Sequence, residues 1–150
     1  MLTPPETIIR PMAAADLDAI LAIERASFSV PWQRGHFEDE MTAPHSFPFV
    51  AECNGDIAGY VCLMSLFEEA QILDIAVAPE QRGRGIARLL MDHAVAVAQE
   101  KQAEVLTLEV RSTNSPAITL YERCGFSRTG VRSKYYEGVD DAVLMELKIV

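Results

Sequence analysis

The chain has 150 residues, 49% of them hydrophobic and 23% charged, with 13 Lys and Arg against 22 Asp and Glu for a formal net charge of −9. A domain of this length buries about 70% of its unfolded-chain surface, so it can build a core without disulfide or metal staples. With only 8 Gly and 8 Pro the composition argues against disorder, and the acidic balance argues against broad phosphate-backbone binding, suiting ordinary solubility or a basic partner instead. In chain order, Thr7–Arg10 reads as a first strand. From Ala13 to Phe28 the residues Leu17, Ile20, Leu21, Ile23 and Phe28 suggest a helix, with Asp16 and Asp18 near its positive end. Pro31 breaks it, Trp32 follows at the turn, and a short helix is expected over Arg34–Met41. Phe47–Glu52 and Ile57–Leu66 read as strands joined by Cys53-Asn54-Gly55-Asp56, where Asn-Gly between apolar runs signals a hairpin. Gln71–Ala78 is a further apolar run, closed by Pro79.

After Arg82-Gly83-Arg84-Gly85 a helix is expected to about Gln99, with Ile86, Leu89, Leu90, Ala94 and Val97 forming one core-facing stripe. Val105–Val110 is a strand. Ser115–Cys124 is a helix with Pro116 in its first turn and Gly125 just past its end. Phe126–Tyr136 and Ala142–Ile149 close the chain as a strand pair. The expected fold is mixed α/β, a mostly antiparallel central sheet flanked by helices, in one domain over residues 1–150. Cys53, Cys62 and Cys124 form no C-x-x-C pair, and His36, His45 and His93 match no metal-ligand spacing, so neither a disulfide framework nor a metal site is expected. Met1–Glu6 has no signal-peptide pattern, and no run of about 18 apolar residues exists. A soluble cytoplasmic protein, with no membrane and no direct nucleic-acid binding, is the expectation.

The strongest local signal is Ile75-Ala76-Val77-Ala78-Pro79-Glu80-Gln81-Arg82-Gly83-Arg84-Gly85-Ile86-Ala87, in which a strand ends, glycines follow and a helix begins. Helix N-termini carry unpaired N–H groups and partial positive charge, an arrangement that cradles phosphate. Gly83 and Gly85 permit close backbone approach, and Arg82, Arg84 and Arg88 concentrate positive charge. A plain loop with a good helix start would look the same. The dinucleotide fingerprint G-x-G-x-x-G fails because Arg88 holds the third glycine position, and the P-loop fails for want of Gly-Lys-Ser/Thr.

Arg82-x-x-Gly85-x-Ala87 between a strand and an apolar helix resembles the acetyl-CoA pyrophosphate loop of GNAT-superfamily N-acetyltransferases. Leu108-Glu109-Val110-Arg111, Asn114, Ala117, Leu120-Tyr121-Glu122 and Gly125-Phe126 resemble the C-terminal half of that family. Phe28-x-x-Pro31-Trp32, Tyr135-Tyr136 and Asp141-Ala142 resemble its branch that acetylates the N-terminal alanine of a small-subunit ribosomal protein.

Several residues carry two readings. Glu109 shares a strand face with Val105 and Thr107, opposite Leu106, Leu108 and Val110, so it is either a solvated outer residue or a group facing a cleft. The resemblance implies a general base, directly or through water. Tyr121 on the next helix reads as core packing with a hydroxyl reaching a partner; the resemblance implies the acid that protonates the departing CoA thiolate. Asn114 reads as a helix N-cap, and the resemblance adds a contact to the pantetheine side of the cofactor. For Ile75, Ala76 and Val77 the resemblance alone implies backbone hydrogen bonds to pantetheine and to the acetyl carbonyl. Phe28, Pro31, Trp32, Tyr135 and Tyr136 are either core packing or walls of a pocket for a peptide end. Cys124 and His93 read as packing residues.

The resemblance therefore implies acetyl-CoA as co-substrate, no metal, and a ribosomal-protein N-terminal peptide as acceptor, attacked directly in a ternary complex. A small-molecule amine acetyltransferase on the same fold is the first rival, since a fold does not fix the acceptor. A non-catalytic CoA-binding module is the second, and the presence of both Glu109 and Tyr121 argues against it.

Overall fold

The structure is a computed structural model and describes residues 7–149. Met1–Glu6, expected to carry no signal peptide, lie outside the described residues, as does Val150. Strands β1 (Thr7–Pro11), β2 (Ser46–Cys53), β3 (Asp56–Leu66), β4 (Glu69–Val77), β5 (Val105–Arg111), β6 (Ser127–Tyr136) and β7 (Asp140–Lys148) form one sheet in the order β1-β2-β3-β4-β5-β7-β6. Helices α1 (Leu17–Ser27), α2 (Arg34–Thr42), α3 (Ile86–Glu100) and α4 (Ser115–Arg123) flank it, with short 3-10 turns at Ala14–Asp16 and Pro79–Gln81. The mixed α/β, mostly antiparallel expectation holds.

Successive residues of a strand face opposite sides of a sheet, and β3 shows which side each helix covers. Val61 and Leu63 pack into a cluster with Ile86, Leu90, Met91, Ala94, Val97 and Ala98 of α3 and with Ile118 and Tyr121 of α4. Tyr60 and Cys62 pack into a second cluster with Leu17, Ile20, Leu21 and Ile23 of α1 and Phe37 of α2. The stripe expected on α3 is therefore its buried face, widened by Met91 and Ala98, with Leu89 half-buried at its margin. Half-buried His93 packs edge-on against Phe49, with ring centroids 4.4 Å apart, and Cys124 packs half-buried at the edge of the first cluster.

Boundaries shift in two places. The first helix opens as a 3-10 turn because Asp16 turns back to accept the Ala13 N–H at 2.8 Å and a bidentate pair from Arg10. It also ends at Ser27, before Pro31, because Phe28 is already extended at φ −132°, ψ 141°.

The connection that matters most is the one between β4 and β5. Every neighbouring strand pair is antiparallel except this one, which is parallel and spans only Glu69–Gln71 against Val105–Thr107. Beyond Gln71, β4 continues to Val77 paired with β3 alone, and beyond Thr107, β5 continues to Arg111 paired with β7 alone. The sheet thus splits between its fourth and fifth strands, and both strands run with their carboxyl ends toward the open side. In open α/β sheets that side is where ligands bind.

Candidate active site

One wall of the split is β4 and the turn after it. The edge of Ile75, Ala76 and Val77 that faces away from β3 has no strand beside it, leaving backbone polar groups available to a ligand. The chain then turns through Gly83 and Gly85, both at φ +80°, and Gly85 is the N-cap of α3. Such angles are strained for any residue with a Cβ. The first helical bond runs from Leu89 N–H to the Gly85 carbonyl at 3.1 Å, so the N–H groups of Ile86, Ala87 and Arg88 have no carbonyl of the preceding turn to bond. A Cβ placed on Gly83 would meet nothing within 4 Å, so the space over this turn is open.

The three arginines differ in what they do. Arg82 donates from Nε to the Val77 carbonyl at 3.1 Å and from Nη2 to Ser27 Oγ at 3.1 Å, bracing β4 and the end of α1. Arg84 reaches Gln81 at 3.2 Å, and Arg88 pairs with Asp92 one helical turn on at 3.1 Å, both on the surface. A cradle of bare amides with exposed cations fits a pyrophosphate.

The other wall is β5 with the β6–β7 hairpin. Glu109 is half-buried on β5, and its Oε1 accepts from Arg132 Nη2 at 2.8 Å. The carboxylate is thus held by a cation from the far strand β6. Arg132 also lies over the Tyr135 ring at 4.9 Å, and Tyr135 meets Tyr136 edge-on at 5.1 Å. Burial first, then the nearby Glu109 charge, pushes the Tyr136 phenol above its ordinary value. Arg111 lies over the Tyr136 ring at 4.6 Å and pairs with Asp140 at 2.7 Å and with Glu137. Ser29 donates to Glu137 at 2.6 Å and accepts from Arg111 at 3.2 Å, which ties the turn after α1 to the hairpin.

Tyr121 is buried on α4 beside Phe126, 6.1 Å between centroids. Burial pushes its phenol above the ordinary value, with the charges of Asp74, Cys124 and Tyr136 adding to the effect. Asn114 caps α4, accepting the Ala117 N–H at 3.3 Å, as the capping reading expects. Of the aromatic candidates, Tyr135 and Tyr136 come together with Glu109. Phe28 is exposed at the turn after α1, whereas half-buried Trp32 leans on Phe37 at 5.2 Å. Sequence reasoning quoted Arg111 without a role and missed Arg132, because their partners lie 23 to 29 residues away. Among the described residues, no group of three or more His, Cys, Asp or Glu is placed to hold a metal, and no helix is long and apolar enough to cross a membrane.

The model of the GNAT acetyltransferase family matches residues 17–126. The chain belongs to the GNAT acetyltransferase family. It is 31% identical over 144 residues to the ribosomal protein bS18-alanine N-acetyltransferase of Escherichia coli, covering 94% of this chain and 97% of that one. A Bacillus subtilis protein provisionally assigned the same activity is 37% identical over 143 residues, covering 94% and 95%. The E. coli crystal structure superposes with a TM-score of 0.88 over 95% of this chain and 94% of that chain, and that of nourseothricin acetyltransferase with 0.79 at 28% identity over 97% and 99%. This GNAT enzyme therefore has N-acetyltransferases as relatives along nearly its whole length.

Proposed function

We propose that this chain, as a single cytoplasmic domain over residues 1–150, transfers acetyl from acetyl-CoA to the N-terminal α-amine of a protein, the N-terminal alanine of ribosomal protein bS18. The observation that carries the reading is the position of Glu109, held by Arg132 and flanked by Tyr135 and Tyr136, across the open split from the glycine-capped start of α3. Near-full-length similarity to the E. coli bS18-alanine enzyme supports this acceptor over others.

On the cofactor side, the amides of Ile86, Ala87 and Arg88 take the pyrophosphate, with Gly83 and Gly85 keeping the backbone close and Arg82, Arg84 and Arg88 supplying charge. The free edge of Ile75, Ala76 and Val77 runs along pantetheine, and Asn114 approaches it from α4. A backbone N–H of that edge stabilises the oxyanion of the attacked carbonyl. Acetyl-CoA supplies the activated acyl group, so the residues have only protons to manage. An α-ammonium has an ordinary pKa of about 7.7–8.0, within reach of a carboxylate's help at neutral pH. Glu109 takes that proton, directly or through one water, Tyr121 gives its phenolic proton to the leaving sulfur, and the second proton shed by the acylated nitrogen restores the phenol. Burial raises the phenol's pKa, which keeps the acid loaded, and raises the basicity of a thiolate in the same surroundings, which keeps the transfer favourable. Phe28, Pro31, Trp32, Tyr135 and Tyr136 flank the incoming peptide end. The chemistry asks for no metal.

The test is incubation with acetyl-CoA and a peptide bearing the bS18 N-terminus, following free thiol release and mass. A gain of one acetyl on the first residue, at a rate far above that with small amines, is the expected result. Thiol release with small amines alone would move the assignment to a small-molecule acceptor, the activity named for its structural neighbour nourseothricin acetyltransferase. Tight CoA binding without release would leave a binding module.

A further inference from the structure

Under the turn that carries Trp32 lies a buried acid pair that the acetyl transfer does not use. Glu24 falls on the apolar stripe of α1, seven residues after Leu17, and is 1% exposed. Fully buried Tyr60 on β3 donates its hydroxyl to Glu24 Oε1 at 2.6 Å, and the Trp32 N–H donates to Oε2 at 2.9 Å. The rings complete the circuit, since Trp32 packs on Phe37 at 5.2 Å and Phe37 meets Tyr60 edge-on at 5.6 Å. Asp74 of β4, 8% exposed, comes within hydrogen-bonding reach of Glu24, and its Oδ2 is buried with no donor.

No cation relieves this pair, because the ion pairs among the described residues include neither acid. The remaining titratable groups around it add no positive charge. Cys62 stands opposite Asp74 in the β3–β4 register with its thiol pushed up by burial, Glu40 of α2 faces Cys62, and Tyr121 of α4 feels the Asp74 charge. Two bare carboxylates in this setting repel strongly and leave Oδ2 without a partner. One proton removes both problems, for a protonated Asp74 donates where two anions could not. Glu24, already accepting from Tyr60 and Trp32, is the member that keeps the charge.

We propose that Asp74 is a protonated positioning residue, sharing one proton with Glu24 and through it fixing the Trp32 backbone at the edge of the acceptor pocket. The acceptor rests on the function proposed above; the proton does not. In support, burial and the facing Glu24 push the Asp74 carboxyl up to about 10. Loss of that proton sets two anions against each other beneath Trp32 and loosens the turn.

Trp32 is the one tryptophan of the chain, so its fluorescence reads this pair without substrate. In wild type its emission should change in a step with midpoint near 10, the value set for Asp74. Asp74→Asn keeps a neutral donor to Glu24. It should match wild-type emission at neutral pH and lack the step, retaining only the common background of tyrosine ionisation. The same step in Asp74→Asn overturns the assignment of the proton, whatever the enzyme acetylates. With acceptor peptide at neutral pH, Asp74→Val should raise the acceptor KM about tenfold with kcat and the acetyl-CoA KM kept, and Asp74→Asn should restore it. An unchanged acceptor KM in Asp74→Val, or an Asn variant as impaired as the Val variant, overturns the positioning role.

Discussion

A carboxyl that keeps its proton in the fold but loses it in the unfolded chain makes stability decline as pH rises between its two pKa values. Asp74 has that character, with an ordinary value of 3.8 and a folded value pushed up to about 10. Between these limits the folded state binds the extra proton, so stability is fully present below about pH 4 and is lost by roughly 1.4 kcal/mol per pH unit toward pH 10. At neutral pH the cost is on the order of a few kcal/mol. Asp74→Asn cannot titrate, so its melting temperature should exceed wild type at neutral pH, by more at pH 9, and match it near pH 4. A gap that does not vary with pH would show that Asp74 is ionised in the fold. Tyr121→Phe isolates the other proton: the ring still packs on Phe126, and turnover should fall about 10²–10⁴-fold with acetyl-CoA affinity kept. Glu109→Gln keeps shape while removing basicity. Its turnover at saturating peptide should fall about 10²-fold or more at neutral pH and partly recover above the amine's own pKa of about 8, where the amine is already neutral. A pH–rate profile parallel to wild type would remove Glu109 from the chemistry. The Arg132 side chain is half-exposed, so freeing it from Glu109 should leave the melt almost unmoved.

At the scale of elements, the position of β4 depends on a close approach that only glycine permits. A Cβ on Gly59 would lie 2.7 Å from the Ala76 carbonyl and 3.2 Å from Leu90 Cδ1, so β3, β4 and α3 meet there without a side chain between them. Gly59→Ala should cost about 1–3 kcal/mol in urea unfolding and weaken acetyl-CoA binding, because Ala76 belongs to the free strand edge. Gly130→Ala, whose Cβ would sit 3.4 Å from Leu144 in ordinary contact, is the matched control and should change neither. The local signals that the sequence carries sit in such elements. The stripe on α3, the Asn54-Gly55 hairpin and the glycine turn before Ile86 each rest on a few consecutive residues, and each is found as expected. The three-residue parallel contact between β4 and β5 has no such signature, because the pairing depends on residues some 36 apart in the chain. The acid pair was half legible. Glu24 continues the spacing Leu17, Ile20, Leu21, and Asp74 alternates with Ala76 and Ala78 of the α1-side cluster, so both stand on buried faces. What the pattern could not give is that these two faces meet, since that is set by how α1 lies across the sheet.

The molecule as a whole is acidic, −9 in formal net charge, and the rim of its site sets two arginines against three carboxylates. Arg111 is spent on Glu137, Asp140 and the Tyr136 ring, and Arg132 on Glu109 and the Tyr135 ring, so the rim cations have no capacity left to draw an anionic peptide. Most of the excess negative charge lies away from the rim, where it acts on the approach of the acceptor. A field of this kind speeds encounter with a basic partner and fades as salt shortens its range, from about 10 Å at 0.1 M to about 3 Å at 1 M. Two peptides with the same first residues, one followed by Lys and Arg and the other by Asp and Glu, should therefore differ in kcat/KM by about tenfold at low salt in favour of the basic one. The difference should shrink as salt is added, while kcat at saturation stays the same for both. A preference that survived high salt would instead place a specific acidic contact in the pocket, and equal kcat/KM at low salt would mean that the surface charge serves solubility alone.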